Sequence, residues 1–333
     1  MNIAVIGTGE WGRNHVRILC EILGPEHVKV ADIDENRLKL VKEKYGVETT
    51  TNYTHLLQRP EIDAVHVCTP SSTHYEMCKE ILFAEKDVLC EKPMAMDSHS
   101  CLDLIKLADE NRRILMVGHI FRFNSLTNEL KNVIESGKLG KIFFIQSERL
   151  GLRTPRSDCG VLFDFAIHDI DTVCYLNERS HPEEITAITG VYLQHSVEDF
   201  GMLALKFSND ALAHIVVSWL TPQKVRQLTV VGKERSASVD FVTSKMKIHD
   251  IGIIPQYHSF NQFNLVAKQG LTYEVKTSSE EPLKTEIQHF IDCVHHRKPP
   301  ITDGLVGMKA VQIIEAAYES ARINRTVKIA NGI

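Results

Sequence analysis

Asp164 and His168 are four residues apart and are well suited to moving a proton. They lie in Gly160-Val-Leu-Phe-Asp164-Phe-Ala-Ile-His168-Asp169-Ile-Asp171, whose apolar spacing predicts a helix. On an α-helix the i and i+4 side chains project from one face, while Phe163, Ile167 and Ile170 pack on others. An imidazole with a neighbouring carboxylate is the usual pairing for taking a proton from a hydroxyl at neutral pH. The same spacing also makes ordinary structural contacts, and Asp169 and Asp171 read as caps or salt-bridge partners. Lys92 is the other candidate, in Cys90-Glu91-Lys92-Pro93 at the end of an apolar run. At the carboxyl end of a parallel strand it would stand near the reactive end of a bound cofactor. Pro93 permits a cis bond that would set its direction. A surface Glu-Lys pair before a turn is the alternative.

A cofactor is implied by the first twelve residues. Ile3-Ala-Val-Ile6 leads into Gly7-Thr-Gly9-Glu10-Trp11-Gly12, and an amphipathic stretch through Val16, Leu19 and Leu23 follows. Strand, glycine turn and helix form the dinucleotide fingerprint, in which Gly7 permits the turn, Gly9 lets backbone approach a pyrophosphate, and Gly12 lets helix and strand pack. The helix N-terminus, with Glu10 and Trp11, offers unpaired N–H groups to phosphates. Asp32 ends the second apolar run, 20 residues after Gly12, where the ribose-binding carboxylate is expected. A carboxylate there repels a 2′-phosphate and favours NAD over NADP, although Arg37 lies close by. Cys68-Thr69-Pro70-Ser71-Ser72-Thr73-His74 is a hydroxyl-rich loop. Thr69 and Ser71 are expected on the cofactor, and Ser72 or Thr73 as a helix N-cap.

These residues need elements to hold them. Strands are expected near 3–6, 28–31, 63–68, 87–90 and 114–117, with helices near 10–23, 35–45, 72–84 and 97–110. That alternation implies right-handed βαβ crossovers and a doubly wound parallel sheet, with ligand at its carboxyl edge. A helix near 125–136 and a strand at 142–148 come next, then a basic loop, Arg149 to Arg156. Strands follow at 185–194, 201–207, 211–219, 226–232, 236–241 and 271–276, several alternating polar with apolar residues as an antiparallel sheet covered on one face requires. Residues 252–268 read as a loop at a subunit contact. Helices over 283–296 and 304–323 end the chain and are expected to pack back on the first domain. The fold class is therefore α/β, with a Rossmann domain over 1–120 and an α+β domain with an open, mostly antiparallel sheet over 121–333.

Composition removes several classes of function. The chain has 333 residues, 43% hydrophobic and 24% charged, with a formal net charge of −5. A negative balance without basic blocks argues against nucleic acid. No apolar run is long enough to span a bilayer. The N-terminus has no signal-peptide pattern. Eight cysteines without a C-x-x-C pair read as reduced thiols of a cytoplasmic protein. His289 and Cys293 are suitably spaced to share a helix face as metal ligands, but no further ligand accompanies them, so no metal is expected.

Together these segments resemble the glucose–fructose oxidoreductase/inositol dehydrogenase family (Gfo/Idh/MocA). The resemblance rests on Gly7-x-Gly9-x-x-Gly12, Thr69-Pro70-x-x-x-His74, Glu91-Lys92-Pro93 and Asp164-x-x-x-His168. Gly118-His119-Ile-Phe-Arg122-Phe-Asn124 and the 137–142 segment Gly-Lys-Leu-Gly-Lys-Ile add to it. It implies a catalytic trio of Lys92, Asp164 and His168, and a cofactor site that includes His74 and Glu91. By this resemblance, His168 accepts a ring-hydroxyl proton while hydride leaves for NAD, and Lys92 stabilises charge on the same oxygen. It also implies homo-oligomers, dimer or tetramer, through the open sheet. Arg149, Arg153 and Arg156 precede the catalytic helix, and Arg122 is expected to face the same substrate. Guanidinium forks suit a diphosphate, which a neutral inositol lacks. The run from Arg149 to Asp171 is similar to the branch oxidising the 3-hydroxyl of UDP-N-acetylglucosamine. An inositol or free-sugar dehydrogenase and a non-catalytic NAD(H)-binding sensor are the alternatives.

Overall fold

Ile3–Ile6 forms a four-residue strand whose side chains are all buried, and the first of two units is built around it. In this computed structural model the described residues are 1–177, 180–193, 197–250, 252–259, 262–268 and 270–329, with backbone alone for 252–259 and 262–268. One unit comprises Met1–Phe123 and Glu280–Glu315, the other Asn124–Ser279 and Ala316–Ile333.

In the first unit β1 (Ile3–Ile6), β2 (Val28–Ala31), β3 (Glu48–Thr50), β4 (Ala64–Val67), β5 (Asp87–Glu91) and β6 (Leu115–Gly118) form one sheet. Their order is β3-β2-β1-β4-β5-β6, and every pairing is parallel. Strands buried on both faces read as near-continuous apolar runs, as β1 does throughout and β4 does apart from the buried His66. Strand order reverses between β1 and β4, and the turns after them mark the switch point where such sheets bind ligands. Asp34 caps the helix Glu35–Tyr45 by accepting from the Asn36 and Arg37 amides. Neither Ser72 nor Thr73 caps His74–Phe83: the Thr73 hydroxyl instead donates to the Pro70 carbonyl at 2.8 Å. The polar strand β3 and the short helix Thr54–Leu57 are absent from the sequence reading because neither carries an apolar period.

The helix Pro282–His296 belongs to this unit and buries Leu283, Ile287 and Phe290 in its core. It also buries Glu286, which is 0% exposed and whose two oxygens find no hydrogen-bond donor among the described residues. Ligand-capable atoms of Glu286, His15 and Glu91 lie within 4.8 Å of one another. His15 bridges Glu91 at 3.0 Å and His66 at 3.0 Å through its two ring nitrogens. Burial, then the charge of Glu91, pushes the Glu286 carboxyl well above the ordinary range. Burial and the charge of His15 push His66 down.

The second unit contains β7 (Ile142–Leu150), β8 (Pro182–Gly190), β9 (Phe200–Phe207), β10 (Leu212–Ser218), β11 (Val225–Gly232), β12 (Ser236–Asp240), β13 (Lys245–His249), β14 (Gly252–Ser259), β15 (Gln262–Lys268), β16 (Thr272–Val275) and β17 (Val327–Lys328). Nine form a sheet ordered β16-β13-β12-β11-β7-β10-β9-β8-β17, antiparallel except where β10 pairs with β7. Leu203, Leu205 and Phe207 on β9 and Ala213, Ile215 and Val217 on β10 point to one buried face. The helix Ile167–Leu176 packs against β7 and β10, and Ser125–Glu135 packs against that helix. Of residues 252–268, expected as a loop, 252–259 form β14 and 262–268 form β15, paired antiparallel, while 260 and 261 lie outside the described residues. β8 begins at Pro182, earlier than expected; of its expected end, residue 194 lies outside the described residues. Among the described residues no helix is long and apolar enough to cross a membrane.

Glu286 makes stability depend on pH. Its proton affinity is raised in the folded state, so stability is full below the ordinary carboxyl value of 4.5 and falls as pH rises toward the folded value. Glu286→Gln cannot ionise. The variant should match the native protein in thermal unfolding near about pH 4 and exceed it increasingly toward about pH 8. A difference that stays constant over that range would show that Glu286 does not change its proton affinity on folding.

Candidate functional site

Two close approaches and one open position build the glycine turn of the first unit. Gly7 has φ +91°, and a Cβ there would stand 2.6 Å from the Cys68 carbonyl oxygen. A Cβ on Gly12 would lie 1.8 Å from the Gly7 oxygen, so turn and helix can meet only through glycine. Around Gly9 nothing lies within 4 Å of the Cβ position, which leaves its backbone open. The helix Glu10–Leu23 starts immediately after, with Glu10 in its first turn and Trp11 43% exposed. Open backbone at a helix N-terminus fits a pyrophosphate. Asp32, 8% exposed, accepts from the Thr8 amide and hydroxyl at 2.6 Å each and from the Asp34 amide at 2.9 Å. Burial opposes ionisation, but those bonds and the charge of Arg37 outweigh it and hold Asp32 below the usual carboxylate range. Arg37 itself pairs with Asp34 at 3.3 Å.

Lys92 follows the last residue of β5, is 9% exposed, and is joined to Pro93 by a cis peptide bond. Behind it Glu91 accepts from His15 and lies opposite Gly118 on β6. A Cβ on Gly118 would come within 3.2 Å of the Glu91 carboxylate, so glycine leaves room for that pair. Burial opposes ionisation of Glu91, yet the bond and charge of His15, with Lys92 and His74, hold it low. His74 is buried, its ring nitrogens 2.7 Å from the Pro93 carbonyl oxygen and 2.9 Å from that of Thr69. It thus ties the turn after β4 to the turn bearing Lys92. Ser71 is buried in the same turn, and Thr69 Oγ1 is 2.7 Å from Thr73 Oγ1. Arg122 donates to the Ile301 carbonyl at 3.3 Å. His289 Nε2 accepts from the Ile301 amide at 3.1 Å and lies 3.4 Å from Cys293 Sγ. All eight cysteines are free thiols.

In the second unit Asp164 and His168 are on one continuous helical run, but not an α-helix throughout. Leu162–Ala166 is a π-turn and Ile167–Leu176 is α-helical. The wider turn changes the rotation per residue, so the i, i+4 argument for one shared face does not apply to Asp164. Asp164 is 3% exposed, and three partners reach it from outside the helix. Trp219 Nε1 donates to Oδ2 at 3.1 Å, Arg153 approaches the same oxygen at 3.3 Å, and Arg156 approaches Oδ1 at 3.3 Å. Arg156 also forks onto Asp158 at 2.6 and 2.9 Å, and that pairing, ahead of other causes, raises its proton affinity.

Arg149 departs from expectation. It is the penultimate residue of β7, not a loop residue, and is 6% exposed. It forks onto Asp169 at 2.6 and 3.2 Å, while Ser147 donates to the same carboxylate at 2.6 Å. Strand alternation turned the side chain inward, and a buried cation must be paired. Trp219 and Arg226 are functional candidates that the sequence reading missed. Arg226 lies over the Phe165 ring, 4.6 Å from its centroid, and burial, then the nearby charge of Arg149, lowers it to about 10. Trp219 had one signal, since a tryptophan ending a buried strand needs an acceptor for its indole N–H.

The chain is similar to known proteins over both units. Residues 1–119 match the model of an oxidoreductase family with an NAD-binding Rossmann fold, and residues 127–238 match the GFO/IDH/MocA C-terminal domain. The UDP-N-acetylglucosamine 3-dehydrogenase of Acidithiobacillus ferrooxidans is 27% identical over 315 residues, 93% of this chain and 94% of that one. The myo-inositol 2-dehydrogenase of Thermotoga maritima is 28% identical over 352 residues, 99% and 98% of the two chains. A solved structure of the Acidithiobacillus ferrooxidans enzyme superposes with a TM-score of 0.82 at 24% identity, covering 97% of this chain and 98% of that one. With the glycine turn in one unit and the Asp164 helix in the other, the chain is a member of the GFO/IDH/MocA family of NAD-binding oxidoreductases.

Proposed function

We propose that this protein oxidises a ring hydroxyl, at C3, of a nucleotide sugar such as UDP-N-acetylglucosamine to a ketone, using NAD. The observation that carries this reading is the guanidinium cluster at Asp164. Arg153 and Arg156 are fixed on that carboxylate, and Arg153 keeps 42% of its side chain exposed. An ordered cation beside the reacting group suits a diphosphate. Asp32 supports NAD rather than NADP, because its charge, held by Thr8 and Asp34, opposes a 2′-phosphate.

When bound, the nicotinamide supplies a hydride acceptor. The chain's own part is the proton and the charge. His168 takes the hydroxyl proton. Lys92, its ammonium carried at the end of β5, stabilises negative charge growing on that oxygen. Asp164 fixes the arginines and the substrate's approach. One observation favours a neutral polyol instead: Arg149 is consumed by Asp169, and Arg156 is already forked onto Asp158. The 28% identity to a myo-inositol 2-dehydrogenase supports that second reading.

We also propose self-association through the outer face of the second unit's sheet. Ile188, Met202, Leu212 and Phe144 are 62, 43, 52 and 37% exposed. Register sets Ile188 opposite Met202 on β8 and β9, and Leu212 opposite Phe144 on β10 and β7, giving two exposed apolar pairs on this face.

NADH formation from NAD⁺ should occur with UDP-N-acetylglucosamine, and far less with N-acetylglucosamine or myo-inositol, when a carbonyl trap draws off the ketone. Preference for inositol would discard the diphosphate reading and keep the family chemistry. No turnover of any alcohol, with NADH still bound, would favour a sensor. Equal rates with NADP⁺ would remove Asp32 as the discriminator. His168→Ala should lower kcat by at least about 100-fold while NADH affinity stays near native; unchanged kcat would remove His168 from the reaction. Met202→Asp should reduce the oligomer to monomer in sedimentation velocity, and an unchanged sedimentation coefficient would place any interface elsewhere.

A further inference from the structure

The run that carries Asp164 and His168 begins against a buried glutamate. Glu198 is 7% exposed, and its backbone oxygen accepts from the Val161 amide at 2.9 Å. Its carboxylate accepts from the Leu162 amide at 3.0 Å and from the Tyr318 hydroxyl at 2.8 Å. Glu198 therefore satisfies two of the helix's first amides, which have no partner within the helix. Its charge also lies at the positive end of the helix dipole.

Two neighbours are shaped to this arrangement. A Cβ on Gly160 would lie 2.1 Å from both carboxylate oxygens, so only glycine leaves Glu198 its place. Tyr318 packs its ring on Phe163, 5.9 Å between centroids. Burial, then the charge of Glu198, pushes the Tyr318 phenol well above its ordinary range and keeps it a donor. The next residue reaches Asp164 by another route: the Asp199 carbonyl accepts from the Trp219 amide at 3.0 Å, and the Trp219 indole donates to Asp164.

We propose that Glu198, braced by Tyr318 and accommodated by Gly160, is a positioning residue that sets the start of the π-turn and thereby aims Asp164. The proposal rests on the reading of Asp164 and His168 as reacting residues. Glu198 touches neither substrate nor cofactor in this assignment. It fixes the Val161 and Leu162 amides, and the Asp164 amide donates to the Gly160 carbonyl at 3.0 Å, so the turn is anchored on both sides of the glycine.

The test compares Glu198→Leu, Glu198→Gln, Gly160→Ala and the double variant Gly160→Ala/Glu198→Leu. Loss of alignment should cost about tenfold or more in kcat for Glu198→Leu, with KM for NAD⁺ within about twofold of native. Glu198→Gln keeps a carbonyl acceptor and should restore kcat to within about threefold. Gly160→Ala should reproduce the loss, and the double variant should be no worse than either single one. Additive losses, or a Glu198→Leu enzyme with native kcat, would overturn the proposal.

A second readout needs no substrate. The chain has two tryptophans, Trp11 and Trp219, so in a Trp11→Phe background the fluorescence reports Trp219 alone. Its emission should shift in Glu198→Leu and return in Glu198→Gln. Native emission in the leucine variant would overturn the proposal even if no alcohol were ever oxidised. Failure of every substrate with a shifted emission would count against the functional reading alone.

Discussion

A carboxylate with 3% of its surface exposed stays charged only if cations and donors replace the water it has lost. Asp164 is in that position, and the second unit is arranged around the requirement. Two arginines come from the loop after β7, and the indole comes from the residue after β10. Each partner is held in turn. The Arg153 amide donates to the Trp219 carbonyl, and Arg156 is forked onto Asp158. The Arg149–Asp169 pair repeats the device inside the sheet's covered face. Removing one member of such a set leaves an uncompensated charge, which is why these residues act as a group.

The first unit meets a different constraint, steric rather than electrostatic. Backbone must approach backbone at the glycine turn, and both Gly7 and Gly12 stand where a Cβ would meet a carbonyl oxygen. That contact lets the helix Glu10–Leu23 point its free amides outward from the sheet's carboxyl edge. His15 on the same helix reaches Glu91, the residue before Lys92, so one helix serves both the glycine turn and the lysine turn. Glu286 adds a second carboxyl to that buried group. Two such groups so close in a dry core favour one proton between them, and because the bond and charge of His15 act only on the Glu91 side of the pair, the proton falls to Glu286.

Much of this was legible in the chain. Fully buried parallel strands show as unbroken apolar runs, and half-covered antiparallel ones alternate, as β9 does from Phe200 to Phe207. The helix Gly304–Ile323 has the limits its period predicts. Legibility failed where local pattern and tertiary environment part company. Residues 252–259 and 262–268 form β14 and β15 although polar aromatics mask their alternation. The short strand β13, Lys-Met-Lys-Ile-His, alternates over too few residues to stand out. Arg149 looked like a loop cation because charge suggests exposure, whereas its place in β7 turned it inward.

By itself, then, the sequence determined what depends on neighbours a few residues apart. The glycine spacing, the carboxylate 20 residues beyond it, and the strand and helix periods each follow from the geometry of a short stretch of backbone. Only the tertiary structure decided which charges pair. Asp164 meets Trp219 across 55 residues, Glu91 meets His15 across 76, and Glu198 meets Tyr318 across 120. Coulombic and hydrogen-bond energies in a dry interior are set by distance and burial. No separation along the chain encodes either one until the sheet has folded.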